Sequence, residues 1–401
     1  MKVLQINALY GGGSTGRTTA ELDAGLQARG IESIVAVPKS NAARDNIFYI
    51  GNRTDWKLHG LCSRVFGKQG YFSSRATKKL LHFIDEQKPD VIHLRNLHGN
   101  YIHVPMLLQY IIAHQIPTVI TLHDCWTFTG KCCYYTDVHC DKWKHSCGNC
   151  PALKKWNNSW FLDCSAQMLE DKKKYFSAIN RLAVVGVSDW ITNEARQSIL
   201  GNAWRLQRIY NWIDLSVFAP VENNDLRRKL GLENRFVILG IAQKWSVEKG
   251  ILVFLELAKS RPDDVLVLVG EIPSWFSLPS NVLSVGTISD VPTLAKYYDM
   301  ADVFVNPSIQ ETFGKTTAEA ISCGTPAIGY NVTATPELIG DNCGVVVDLQ
   351  AQTEGILSAL DTVKKNTKDG YSAHCVRFAQ ENFYKEKLID DYVALYKEMI
   401  Q

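Results

Sequence analysis

The chain has 401 residues, 43 of them Lys or Arg and 41 Asp or Glu, with 21% charged and 46% hydrophobic. That is ordinary globular composition for two or three domains. It excludes wholesale disorder, a collagen-like repeat and a small disulfide scaffold, and it disfavours a heavily basic nucleic-acid binder.

The charge is unevenly spread. Residues 1–208 hold 26 basic and 16 acidic residues, a net of +10, and residues 209–401 hold 17 and 25, a net of −8. Either the basic half faces an anionic partner or surface composition has drifted. No segment reaches the ~18 apolar residues of a membrane-spanning helix. The longest apolar stretch, 106–122, is interrupted by Gln109, His114, Gln115 and Pro117. The N-terminus is too short and polar for a signal-peptide core, so a cytoplasmic chain with mostly reduced cysteines is expected.

In chain order, apolar runs at 3–6, 33–37, 91–94, 118–122 and 182–187 read as buried strands, with helical patterns between them at 17–29 and 76–87. A second series follows at 235–240, 265–270, 281–285, 303–305 and 326–329, with helices near 250–260, 292–299 and 316–323. Continuous apolar strands alternating with helices predict parallel βαβ units, and two series predict two Rossmann-like domains facing each other. The join is expected near Asn211-Trp212-Ile213-Asp214 and Pro220. The spacing of Leu388, Ile389, Tyr392, Leu395, Tyr396 and Met399 predicts a last helix over 385–400. The domains are therefore expected at 1–208, with a cysteine-rich insertion at 125–164, at 209–384, and as a terminal helix at 385–401.

Gly11-Gly12-Gly13-Ser14-Thr15-Gly16 follows the first strand and opens a helix. Backbone without Cβ approaches a phosphate or sugar closely there. A dinucleotide site needs a carboxylate at the end of the second strand, but that strand ends Val37-Pro38-Lys39-Ser40. An NAD(P)-dependent oxidoreductase is therefore the rival reading. A tight turn packing helix on strand is the structural one, and a ligand-facing loop is preferred.

The richest stretch runs from Asn306 to Pro326. A strand ends at Pro307, a loop carries Glu311, Phe313 and Gly314, and a short helix runs from near Thr316 to Gly324. A helix start with Lys315 and Thr316 suits a phosphate. Glu311 and Glu319 address different parts of a ligand, unless Thr316-x-x-Glu319 is a capping box. Lys244 and Lys249 follow another strand end and suit a diphosphate leaving group.

These motifs resemble the retaining glycosyltransferases of family 4, which have the GT-B fold. Glu311 to Glu319 match the family's E-x7-E element, and Gly324-Thr325-Pro326 and Pro336-Glu337-Leu338 fit as well. Asn211-Trp212-Ile213-Asp214 with Phe218 and Pro220 resembles the inter-domain motif, with Trp in place of Gly. The resemblance implies that Glu311 contacts the donor sugar, with the Phe313 and Gly314 backbone near its hydroxyls, and that Glu319 binds the nucleoside ribose. Lys249 and Lys244 (a lysine where the family has arginine), with the 315–317 amides, hold the diphosphate. Gly12 and Gly13 border the donor phosphate and acceptor side, and His123 lies near the reacting sugar. It further implies a terminal helix crossing back to the first domain, a nucleoside-diphosphate-sugar co-substrate, retention of configuration, and no catalytic metal.

Seven of the 11 cysteines fall within 125–164. Cys147-Gly148-Asn149-Cys150 is a C-x2-C knuckle that, with Cys132 and Cys140, makes a candidate structural zinc site. Cys133 or His145 are substitutes for one ligand. Buried free thiols, disulfides and iron–sulfur chemistry are the alternatives. Residues 53–79 interleave seven cations with Trp56, Phe66, Tyr71 and Phe72. They read as a solvated face or as a peripheral contact with anionic membrane at its inner face. The acceptor class expected is a glycan, lipid-linked or of a surface polysaccharide, and no nucleic acid is expected as a partner.

Overall fold

The computed structural model describes residues 1–401 apart from 43, 45 and 46. It divides into two compact units. Unit 1 comprises Met1–Tyr210 and Glu386–Gln401, and unit 2 comprises Asn211–Lys385.

Unit 1 is built on a seven-stranded sheet. Its strands are β1 (Lys2–Ile6), β2 (Glu32–Val37), β3 (Ile47–Tyr49), β4 (Val91–Leu94), β5 (Thr118–Leu122), β6 (Leu182–Gly186) and β7 (Arg205–Arg208), in the spatial order β3-β2-β1-β4-β5-β6-β7. Every pairing is parallel. The central strands are buried along their whole length, which is why they read as unbroken apolar runs. Helices Gly13–Ala28, Val104–His114 and Asp189–Arg196 are among the connections.

The terminal helix Lys385–Ile400 lies almost wholly in unit 1. The buried His93 of β4 meets the Tyr396 hydroxyl at 2.6 Å and Thr121 Oγ1 at 2.8 Å, and Thr121 Oγ1 meets the Tyr392 hydroxyl at 2.9 Å. At the helix start, Arg29 holds Glu386 at 3.0 Å and Asp390 at 2.6 Å. Gly25 leaves room for Ile389, whose Cδ1 would lie 2.6 Å from any Cβ there.

Unit 2 has six parallel strands: β8 (Val237–Lys244), β9 (Val265–Glu271), β10 (Val282–Gly286), β11 (Val303–Asn306), β12 (Ala327–Tyr330) and β13 (Gly344–Val347), ordered β10-β9-β8-β11-β12-β13. In both sheets the order reverses beside the first strand, between β1 and β4 and between β8 and β11. Open α/β sheets bind ligands outside the carboxyl ends of their strands at such a reversal. The two parallel α/β series expected from the sequence are present. Three short strands that the sequence pattern did not suggest, β3, β7 and β13, are all sheet edges.

Candidate functional site

In unit 2, the carboxyl ends of β8 and β11 carry the charged constellation. The loop after β8 is anchored by Trp245, 2% exposed, whose indole N–H donates to the Val269 carbonyl at 3.1 Å. Gly250 then caps helix Ile251–Ser260 at φ 77°. A Cβ there would lie 2.3 Å from Pro307 Cγ, so only glycine lets this loop close onto the loop after β11. That second loop is tied down as well. Asn306 donates to Thr317 Oγ1 at 3.0 Å, the Glu311 N–H donates to Thr333 Oγ1 at 3.2 Å, and the Ala334 N–H donates to the Glu311 carbonyl at 3.2 Å.

Packed together, the two loops bring Lys249 Nζ to 3.2 Å from Glu311 Oε1. The pair is open to solvent, the Lys249 side chain 46% and that of Glu311 18% exposed. Two residues on, Phe313 is buried edge-on against Phe383. Gly314, at φ 86°, caps helix Lys315–Ser322, with Leu338 Cδ1 3.0 Å from where a Cβ would stand. Lys315 and Thr316 therefore form the first turn, whose N–H groups lack acceptors within the helix.

The helix starts two residues before the capping box requires, and that alternative for Glu319 fails. Glu319 sits deeper in the helix, 2% exposed, and accepts the Tyr298 hydroxyl at 2.9 Å. Lys244 follows a different course from Lys249. It ends β8 and pairs with Glu271 at the end of β9, 3.1 Å away.

In unit 1, Asn7 is fully buried after β1 and fixes the glycine turn, donating to the Leu9 carbonyl at 3.0 Å and to Thr19 Oγ1 at 2.8 Å. Gly12 caps helix Gly13–Ala28, and Gly13 has φ 60°. A Cβ on Gly12 would lie 2.2 Å from Asn41 Nδ2, so the turn is packed on its neighbour, whereas one on Gly13 would meet only Leu9 at 4.0 Å.

Arg95, one residue beyond β4, is 2% exposed. Its Nη1 donates to Thr18 Oγ1 and to His123 Nε2, each at 3.3 Å. Accepting at Nε2 assigns the proton of neutral His123 to Nδ1. Burial, and then the Arg95 charge, push His123 down to about 3, so it is uncharged at neutral pH. Asp124, next in sequence, pairs with His98 at 2.6 Å. Arg95 escaped the sequence reading because nothing in His93-Leu94-Arg95-Asn96 marks its cation as buried. The strand end itself was the available signal.

Cys132, Cys140, Cys147 and Cys150 share one cavity of about 20 Å³ in the 125–164 insertion. Cys133 points elsewhere, within 4.8 Å of His98 and Asp124. Residues 53–79 fold into helix Arg53–Phe66 and the start of helix Ser74–Gln87. Lys39, Arg53, Lys57 and Arg64 line a pocket of about 420 Å³ with Trp56 and Asn100.

Two family models match the chain: "Glycosyltransferase Family 4" over residues 11–217 and "Glycosyl transferases group 1" over 233–364. Among curated relatives, the chain is 26% identical over 233 residues to the N-acetyl-alpha-D-glucosaminyl L-malate synthase of Bacillus anthracis, covering 54% of this chain and 60% of that one. It is 29% identical over 222 residues to the UDP-Gal:alpha-D-GlcNAc-diphosphoundecaprenol alpha-1,3-galactosyltransferase of Escherichia coli, covering 49% and 55%. The chain thus spans little more than half the length of these relatives. Anabaena Alr3699/HepE, solved in complex with UDP, superposes with a TM-score of 0.69 at 16% identity, covering 99% of this chain and 100% of that one. The fold is GT-B. With one family model spanning more than half its residues, the chain belongs to glycosyltransferase family 4.

Proposed function

We propose that this chain transfers a sugar from a nucleoside-diphosphate-sugar to a glycan acceptor with retention of configuration. The observation that carries the reading is the Lys249–Glu311 pair, half-open at the strand-order reversal of unit 2 and followed at once by the helix start at Lys315. A diphosphate entering there takes Lys249 as its counter-ion and the first-turn amides as donors. Glu311 is then released toward the sugar hydroxyls.

As the glycosidic bond to phosphate breaks, negative charge grows on the leaving oxygen. A fixed ammonium and helix amides stabilise that charge more than they stabilise the ground state. Lys244 swings from Glu271 to add a second cation, and Glu319 meets the nucleoside ribose from its place beside Tyr298. In unit 1, neutral His123, held by Arg95, keeps Nδ1–H as a donor for a hydroxyl-bearing ligand. The acceptor hydroxyl attacks the face that the diphosphate leaves, and its proton passes to the departing phosphate oxygen. Support for a nucleotide donor comes from the UDP bound by the Anabaena neighbour.

The acceptor in this reading is an anionic, lipid-linked glycan. The pocket lined by Lys39, Arg53, Lys57 and Arg64 suits a phosphate-bearing acceptor. Leu58, Leu61 and Phe66 on the same helix are 48–60% exposed, and Trp160, Phe161 and Leu162 are exposed as well. The Trp160 N–H donates to the Arg64 carbonyl at 2.7 Å, which ties the second group to the helix that carries the first and its cations. Such a patch suits peripheral contact with an anionic bilayer. No helix among the described residues is long and apolar enough to cross a membrane.

The test is a panel of UDP-, GDP- and ADP-sugars assayed for hydrolysis and for protection against thermal unfolding, with NAD(P) as the control. Protection by one sugar nucleotide, lost in Lys249→Ala, supports the reading. Protection by a nicotinamide nucleotide alone overturns it.

A further inference from the structure

The cysteine-rich insertion and the helix that follows it, Ser165–Ser177, contribute two buried cations that the transferase chemistry leaves unexplained. Lys131 and Lys172 are each 3% exposed. Lys131 Nζ donates to the carbonyls of Ala152 and Leu153 at 3.1 and 3.2 Å, and Lys172 Nζ to those of Trp126 and Thr129 at 2.5 and 2.9 Å. Neither has a carboxylate within ion-pair distance among the described residues. The groups they face electrostatically are mostly thiols: Cys150, Cys132 and Cys133, then Asp163, for Lys131, and Cys147 and Cys133, then Asp124 and Cys132, for Lys172. Carbonyl acceptors, and for Lys172 the Trp126 ring 3.5 Å from Nζ, replace only part of the lost hydration, so two ammonium groups buried among neutral thiols remain costly.

The thiols are arranged for a shared ligand. Cys132 Sγ and Cys150 Sγ are 3.9 Å apart. That is far beyond a disulfide bond, and it matches the ~3.8 Å edge of a tetrahedron whose centre is about 2.3 Å from each sulfur. Cys140 and Cys147 line the same cavity of about 20 Å³, which has room for a single ion. Each lies more than 4.8 Å from at least one of the first pair, so coordination draws these two side chains inward.

The knuckle is shaped for this. Gly148 and Asn149 have φ of 129° and 46°, which turns the backbone between Cys147 and Cys150. Lys142 Nζ pins that turn by donating to both of their carbonyls, at 3.0 and 3.1 Å.

We propose that Cys132, Cys140, Cys147 and Cys150 bind one structural zinc ion that closes the 125–164 insertion. Each thiol releases its proton to solvent on coordination, and four thiolates around Zn²⁺ carry a net charge of −2. Lys131 and Lys172 supply the two compensating positive charges. No position is left open on the metal, so it takes no part in the transfer and instead rigidifies the segment that presents Trp160, Phe161 and Leu162.

The test is metal analysis of the full chain purified under reductant without chelator, together with Co²⁺ substitution. The wild-type chain should hold about one zinc, as closed four-thiolate sites do, and Cys147→Ser and Cys150→Ser should each lower this at least fivefold. Cys133→Ser, outside the cavity, should retain the metal. Cobalt-loaded wild type should show the intense visible bands of tetrahedral thiolate coordination, a readout that does not depend on any variant folding. Metal-free wild type that takes up neither zinc nor cobalt when reduced overturns the proposal. So does a Cys132–Cys150 disulfide in protein trapped without reductant.

Discussion

At the strand-order reversal of unit 2, a lysine and a glutamate face each other in partial contact with solvent. At the corresponding reversal of unit 1, the cation is Arg95, almost wholly buried, and its neighbour is a histidine held neutral. The strand order is the same around both reversals, so the difference lies in the loops. The unit 2 pair holds a counter-ion that an incoming anion can displace. The unit 1 edge holds donors fixed in place before any ligand arrives. On the proposed function, one edge exchanges charge with an incoming anion and the other presents hydrogen bonds to uncharged groups.

The largest effect expected on that contrast comes from unit 2. Glu311→Ala and Lys249→Ala should each lower kcat by about 10²–10³-fold, the usual range for lost electrostatic stabilisation, while the melting temperature stays within a few degrees. Near-normal turnover in both variants would erase the distinction between the two edges. Gly250→Ala should come next. Its Cβ meets Pro307 and its backbone is left-handed, so a loss of about 1–3 kcal/mol in chemical denaturation is expected, together with weaker donor binding. Unchanged stability would mean that the two loops do not depend on close approach.

Acidification sharpens the unit 1 side. Burial above all holds His59 at about 4 and His123 at about 3, against an ordinary 6.5. Between about pH 4 and 6.5 the unfolded chain binds protons that the folded chain refuses, so stability is full above 6.5 and falls as pH drops through that window. The loss should be of order a few kcal/mol and is readable as a falling melting temperature; a flat profile from pH 7 to 5 would contradict it. Smallest is Lys244→Ala. Lys244 is exposed and paired with Glu271, so the substitution should raise the donor KM several-fold with little change in stability.

How far these features were legible in the sequence follows from burial. Central strands such as Val91–Leu94 and Thr118–Leu122 must be apolar on both faces, and they read directly. The edge strands β3, β7 and β13 have one neighbour each and fewer buried positions, and Arg205-Leu206-Gln207-Arg208 has no apolar pattern to find. Glu311 and Lys249 were legible as loop residues at strand ends, but their contact depends on Gly250 closing against Pro307, which no local pattern encodes. The capping-box reading of Thr316 and Glu319 failed because Gly314, in a left-handed conformation, starts the helix early and carries Glu319 into the interior beside Tyr298. Arg95 looks like any surface arginine until the fold covers it.

The most direct test of the central claim is calorimetric titration of UDP, GDP and ADP into the wild-type chain and into Lys249→Ala. At least one diphosphate should bind the wild type, and its affinity should fall about tenfold or more in the variant, the loss of one charge-assisted contact, with the fold intact. Equal affinity for that nucleotide in both proteins would contradict it.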